Sequence, residues 1–331
     1  MLKPFLSTLL LLTATFTLPA AEWLTFTGTK GPGHGKHIVL LTGDEEYRSE
    51  EGLPMLAKIL ATRHGFKCTV LFSINPTNGT IDPNTRNNLP GIEALDTADA
   101  CVMLLRFREL PDAQMKHFVD YLGRGKPIIA LRTSTHAFSY DQNKASAYAK
   151  FDWRNKDWPG GFGQQVLGET WVNHHGAHGK QSTRGILNDE FKSHPILRGV
   201  KDIWGPSDVY GVVHLPTNAQ VLVRGQVLAG MKPSDPPLEG AKNNPLMPLV
   251  WLRDVTGESG RTSRILTTTM GASTDLECED LRRLLINACY WATGLEKKIP
   301  KRADATLVGE YKPTNFGFGK FKPGVKPDEL K

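Results

Sequence analysis

The sequence predicts an α/β protein: a doubly wound, mostly parallel sheet in three layers, with a long lid-like insertion. Three observations carry this. Short apolar runs of strand length alternate with helical segments between residues 37 and 136. The runs are apolar at consecutive positions, as in strands covered on both faces. The alternation then stops, and residues 137–180 form a stretch rich in Trp, Gly, His and Asn that is too long for an ordinary connection.

Taken in order, residues 1–21 read as an export signal. Lys3 supplies a basic start, 5–18 are apolar or small, and Pro19, Ala20 and Ala21 offer a cleavage site. The apolar run is shorter than the roughly twenty residues a membrane span needs. No Cys follows it, which argues against a lipid anchor, and no later stretch is apolar enough to span a bilayer. The expected location is therefore periplasmic or secreted. Residues 22–36 read as irregular. Their GPGHG run precedes the first strand, whereas a dinucleotide-binding glycine loop follows one.

The strand HIVLLTGD (37–44) leads into a polar loop and a helix over 53–64. Leu53, Leu56, Ile59 and Leu60 lie on one face of it, and Gly65 is its cap. FKCTVLF (66–72) is the second strand, and 73–97 is a Pro/Asn/Gly loop. ACVMLLRF (100–107) is the third strand. Residues 111–124 form an amphipathic helix with Met115, Phe118, Val119 and Leu122 inward, and KPIIALRTST (126–135) is the fourth strand with its exit. Beyond the lid, VVHLP, QVLVRG, MPLVWLRD and SRILTTTMG read as strands and 280–293 as a helix. The expected organisation is a signal over 1–21, an α/β domain over 37–296 and an extended tail over 297–331.

Composition narrows the classes. The net charge of +6 comes largely from lysines and arginines of the tail. They lack the interleaved aromatics of a nucleic-acid surface, so nucleic acid is not an expected partner. The four cysteines form no CxxC, and Cys278 and Cys289, eleven residues apart on one helix, are about 16 Å apart and cannot bridge. All four read as free thiols.

In doubly wound sheets ligands bind beyond the carboxyl ends of the strands. That rule selects Asp44, Glu45, Glu46, Tyr47 and Arg48 after the first strand, Arg106 and Arg108 after the third, and Arg132, Thr133, Ser134, Thr135 and His136 after the fourth. A charged side chain at the end of an apolar strand is costly unless paired or solvated. Both an ion-pair cluster and a binding site satisfy that condition, and three converging exits favour the site. The segment ETWVNHHGAHG (169–179) adds His174, His175 and His178. His174 and His178 have the i, i+4 spacing of metal ligands on a helix, yet Gly176 and Gly179 argue against a helix there. As a strand, the segment would send His174 and His175 to opposite sides. Substrate contact or acid/base work by one histidine is the preferred reading, with metal binding by His174 and His178 the lesser one. The aromatics of the long loop, Trp153, Trp158 and Trp171 among them, offer flat faces suited to sugar rings. No P-loop, GxSxG elbow or HExxH motif is present.

The stretch GKPIIALRTSTHAF (125–138) resembles the nucleophile strand of class I glutamine amidotransferases, with Arg132 where those enzymes carry Cys. A fuller resemblance is to the ThuA-like (trehalose utilisation) family. It rests on RTSTHAF (132–138), GQQVLGETWVNHHGAHG (163–179), HPILRGV (194–200), SDVYGV (207–212), RGQVLAGMKP (224–233), PLVWLRD (248–254) and RILTTTMGASTD (264–275). It implies a flavodoxin-like or amidotransferase-like fold without glutamine chemistry, and a role in carbohydrate metabolism. Many relatives have His at the Arg132 position and Gly-His where this chain has Gly271-Ala272. Asp208 and Tyr210 match a family Asp/Tyr region with altered spacing. The expected ligand is a disaccharide or its 3-keto derivative. The expected chemistry is cleavage or isomerisation, with His136 or His174 as base, Arg106 or Arg132 as oxyanion stabiliser and Glu45 as a second acid. A non-catalytic sugar-binding module and a zinc hydrolase are the alternatives. No cofactor and no oligomeric state are assigned.

Overall fold

The computed structural model describes residues 22–257 and 259–331, so the expected signal lies outside the described residues. The centre is a ten-stranded sheet in the order β1-β3-β2-β4-β5-β10-β9-β8-β6-β7. Its strands are β1 (Trp23–Thr27), β2 (His37–Gly43), β3 (Lys67–Leu71), β4 (Ala100–Leu105), β5 (Ile128–Leu131), β6 (Thr183–Leu187), β7 (Ile203–Gly205), β8 (Gln220–Val227), β9 (Met247–Thr256) and β10 (Thr262–Thr268). Three α-helices accompany it: α1 (Ser49–His64), α2 (Asp112–Gly123) and α3 (Glu279–Ala292).

This corrects the expected fold class. The sheet is mixed and mostly antiparallel, not a doubly wound parallel sheet in three layers. Five of its nine pairings are antiparallel: β1–β3, β9–β10, β8–β9, β6–β8 and β6–β7. Parallel pairing is confined to β3–β2–β4–β5–β10. For β9–β10 the physical cause is connection length. A parallel neighbour needs a crossover of a dozen or more residues, while a short loop returns the chain antiparallel. Only a short loop joins β9 to β10, so they pair antiparallel whatever their hydrophobicity.

Three further differences share a cause in backbone hydrogen bonding. Residues 22–36, expected to be irregular, contain β1, whose Leu24 and Phe26 pair with Val70 and Cys68 of β3. The lid is followed by two short strands, β6 and the edge strand β7, that carry too few apolar residues to signal themselves. Conversely VVHLP joins no ladder, because the amides of Val213 and His214 donate to the Glu169 carboxylate. All four cysteines are free.

Two cores sandwich the sheet. On one face α1 and α3 pack Leu56, Leu60, Leu284 and Tyr290 against Leu40, Val70 and Val102. On the other, Met115 and Phe118 of α2 join Phe138, Phe151 and Phe162 of the lid against Val39, Met103 and Ile128. The lid is thus part of the core at its base. Gly163 shows how tightly it sits: a Cβ there would lie 1.9 Å from the Thr135 carbonyl oxygen.

Candidate active site

The exits of β2, β4 and β5 converge on one edge of the parallel block. Three non-glycine residues with left-handed backbone mark these exits: Arg48 (φ 56°), Phe107 (φ 54°) and Arg132 (φ 41°). Each such conformation costs on the order of 1–3 kcal/mol and persists only where the surroundings enforce it, most often at functional sites. The turn at Arg132–His136 is enforced by Ser134, which accepts from Leu105 N–H and donates to Met103 O.

Arg132 is the hub. Its guanidinium donates to the Asp208 and Thr269 carbonyls, to the Tyr47 hydroxyl at 3.0 Å and to Asp208 Oδ1 at 2.9 Å. It also lies between the rings of Tyr47 and Tyr210, 4.1 and 4.2 Å from their centroids. Both charges are fully buried. Burial alone would raise the Asp208 carboxyl. Arg132, then hydrogen bonds from His174 and His178, overcome this and hold it far below the usual carboxylate range.

Asp208 in turn gathers two histidines. His174 Nδ1 lies 2.7 Å from Oδ2, and His178 Nδ1 lies 3.1 Å from Oδ1. The glycine-broken segment does this without a helix. Residue 174 bridges Tyr210, and the amides of His175 and Gly176 both donate to Val209 O. Because Asp208 is ionised, His174 Nδ1 carries the proton of this hydrogen bond, so in the neutral ring the acceptor nitrogen is Nε2. The hydrogen bond that His178 donates to Asp208 also lifts its imidazole above its ordinary value.

A cavity of about 80 Å³ opens beside this network. It is lined by Glu46, Arg106, Phe107, His136, Trp153, Trp171, His174 and Tyr210. His136 is buried among the rings of Phe107, Trp153, Trp171 and Tyr210. Burial first, then Arg106, Arg132 and His174, push its pKa well down, so it is a neutral imidazole at pH 7. Arg106 pairs with Glu45, and Glu46 Oε2 lies 4.0 Å from its Nη2. Burial raises the Glu45 carboxyl, with Asp44 adding to it and Arg106 and Arg108 opposing.

Most residues selected from the sequence meet here: Glu45, Tyr47, Arg106, Arg132, His136, Trp171, His174, Asp208 and Tyr210. Asp44, Thr133 and Thr135 stand one layer behind. Asp44 caps the β2 exit by accepting from Glu46 and Tyr47 N–H and bonds Thr133, and Thr135 Oγ1 lies 3.1 Å from His136 Nδ1. Three are elsewhere. Trp158 packs on Phe151 in a separate groove, His175 bonds the Lys242 carbonyl, and Arg48 is buried against the Glu45 and Gly317 carbonyls. Glu46 and Trp153 also line the cavity. Two contributors escaped the sequence reading: Phe107 and the tail residue Phe316. Phe316 packs on Tyr47 and His178 at 5.4 and 5.3 Å between ring centroids. Phe107 stood between two selected residues at the same exit. Nothing in the sequence ties position 316 to position 47.

No family model and no curated protein matches this chain. Among solved structures it is similar to a protein named as ThuA-like from Parabacteroides merdae ATCC 43184. The identity is 16%, the match covers 78% of this chain and 90% of that one, and the TM-score is 0.48. A protein named as ThuA-like from Bacteroides uniformis ATCC 8492 is 15% identical over 83% of this chain and 95% of that one, with a TM-score of 0.47. The mmIFT52 N-terminal domain is 12% identical over 78% of this chain and 97% of that one, with a TM-score of 0.40.

Proposed function

We propose that this protein is an acid/base enzyme that abstracts a proton next to the carbonyl of an oxidised sugar, such as a 3-keto glycoside. The observation that carries this is the His174–Asp208 dyad at 2.7 Å, set at the wall of an aromatic-lined cavity that also holds Arg106. His174 Nε2 takes the proton from carbon. The electron pair moves onto the carbonyl oxygen, where the Arg106 guanidinium meets the developing charge. Neutral His136 contributes a hydrogen bond to a hydroxyl without adding a competing positive charge. The aromatic rings supply the apolar faces that sugar rings stack on. The enolate can reprotonate on its other face or at the neighbouring carbon, or expel a glycosidic oxygen two atoms away. The carbohydrate class rests on the motif resemblance and these rings together. The N-terminal pattern supports export, so the substrate would be met outside the cytoplasm; the mass of the mature chain tests that.

The decisive experiment is carbon-bound deuterium uptake. Methyl 3-keto-glucoside and 3-keto-trehalose are incubated with enzyme in D₂O and followed by NMR. Wild type should exchange the proton beside the ketone, and His174→Ala should lose at least about a hundredfold of that rate. Absence of both exchange and turnover over a panel of keto glycosides would refute the reading.

One observation favours a second reading. Ligand atoms of His174, His178 and Asp208 all lie within 4.8 Å of one another, the spacing of a two-histidine, one-carboxylate metal set. A divalent ion held there would polarise a substrate oxygen. Elemental analysis of the purified protein distinguishes the two: stoichiometric metal, with activity abolished by chelator and restored by the ion, would replace the metal-free scheme.

A further inference from the structure

The C-terminal tail, with Gly317 bonded to Arg48 across 269 residues of sequence, runs beside the site. It is tied down at two points. The backbone N–H and hydroxyl of Thr314 both donate to the Glu51 carboxylate at 2.7 Å. Gly317 N–H donates to Glu46 O at 2.8 Å, and Gly317 O accepts from Arg48 at 2.9 Å. Between these ties Phe316 turns inward onto Tyr47 and His178. Just beyond them Phe318 turns outward and is 60% exposed, although the segment holding it is anchored. Gly317 (φ 140°) and Gly319 (φ 65°) flank it, both in backbone conformations that side chains rarely adopt. The chain is therefore built to hold one large apolar ring in water at a fixed place.

That place adjoins the cavity. The Arg106 guanidinium, which lines the cavity, lies 4.8 Å from the Phe318 ring centroid and 4.4 Å from that of Phe107. The cavity itself, at about 80 Å³, is far below the 300 Å³ or more of pockets that enclose a drug-sized ligand. At roughly 10–15 Å³ per water it holds a handful of waters, the number that one sugar ring displaces. A two-ring substrate placed with its reacting ring between Arg106 and His174 must send its second ring out through the mouth.

We propose that Phe318 is a second, outer subsite: a stacking platform for the leaving-group ring of a two-ring glycoside, carried by the C-terminal tail. It rests on the proposed function in that the inner ring is the reacting one. Arg106 couples the two subsites, because its guanidinium is in contact with the platform ring and reaches the cavity. Phe318 is then a specificity-determining residue that discriminates disaccharides and aryl glycosides from simple alkyl glycosides.

The test compares Phe318→Ala and Phe318→Trp with wild type on one-ring and two-ring probes. Methyl 3-keto-glucoside and 3-keto-trehalose are compared by kcat/KM. Methyl glucoside and trehalose are compared for binding, by the emission of Trp153 and Trp171 at the cavity. Stacking of this kind changes affinity about three- to tenfold. Phe318→Ala should lose that factor on the two-ring probes over and above any change on the one-ring probes, and Phe318→Trp should restore it. Equal effects on both classes, or none on the two-ring class, would overturn the subsite. If two-ring selectivity appears in binding while no keto sugar is turned over, the outer subsite stands and the catalytic reading falls. If neither sugar class binds wild type, both fall.

Discussion

Replacing Asp208 by Asn isolates the charge at the centre of the network while keeping its shape. The variant leaves the Arg132 guanidinium fully buried, with carbonyls and the Tyr47 hydroxyl but no anion. Breaking one side of a buried ion pair costs about 3–5 kcal/mol, because the remaining charge stays desolvated. The expected loss is therefore about 3–5 kcal/mol, read as a lower urea midpoint at unchanged slope. Its pH dependence follows from two opposite linkages. The depressed Asp208 pKa gives stability that is present above the ordinary carboxylate value near 4 and is lost as pH falls through the folded value. The raised His178 pKa gives stability that is full below about 6.5 and is lost as pH rises through its folded value. Both depend on the Asp208 charge, so the gap between wild type and Asp208→Asn should be widest near pH 5–6 and smaller at pH 8. A gap below about 1 kcal/mol at pH 5.5, or one that grows toward pH 8, would refute the reasoning. Replacing both partners, Arg132→Met with Asp208→Leu, should recover much of the stability and none of the exchange activity.

Other perturbations give separate readings. Burial, opposed by Arg48, pushes the Glu50 carboxyl up to about 8, so its contribution is full below about 4.5 and is lost as pH rises through 8. Glu50→Gln should therefore flatten the decline in melting temperature between pH 5 and 9, and an unchanged decline would show that Glu50 is not the group responsible. Gly163→Ala forces a methyl group against the Thr135 carbonyl and should cost about 1–3 kcal/mol while displacing the lid, seen as a raised KM with the fold intact by circular dichroism. Glu169→Ala strips acceptors from the amides of Val213 and His214 and from the His214 ring. It should lower stability by about 2–4 kcal/mol, with hydrogen exchange accelerated first at residues 213–214.

The candidate site was more legible than the sheet that carries it. Charged residues directly after apolar strands can be found by inspection, because such positions are costly inside a fold. Asp44, Arg106, Arg132 and His136 were found that way. Trp158 was misplaced because an aromatic ring serves a packed lid base and a sugar platform equally well. His174 and His178 were set apart by glycines that exclude a helix. Yet they share one carboxylate, since Asp208 reaches them from a distant strand exit.

By itself, the sequence determined where chain segments are apolar enough to be buried, where glycines stop or bend them, and which polar groups stand at their ends. These are local properties, written in periodicity and side-chain chemistry. Strand direction, sheet order and the meeting of positions 47, 132, 208 and 316 were decided only by the tertiary structure. β9 and β10 pair with each other antiparallel because the loop between them is short. The tail reaches the site because two carboxylate and carbonyl ties fix it there, and hydrogen bonds between residues so far apart leave no periodic trace in the chain.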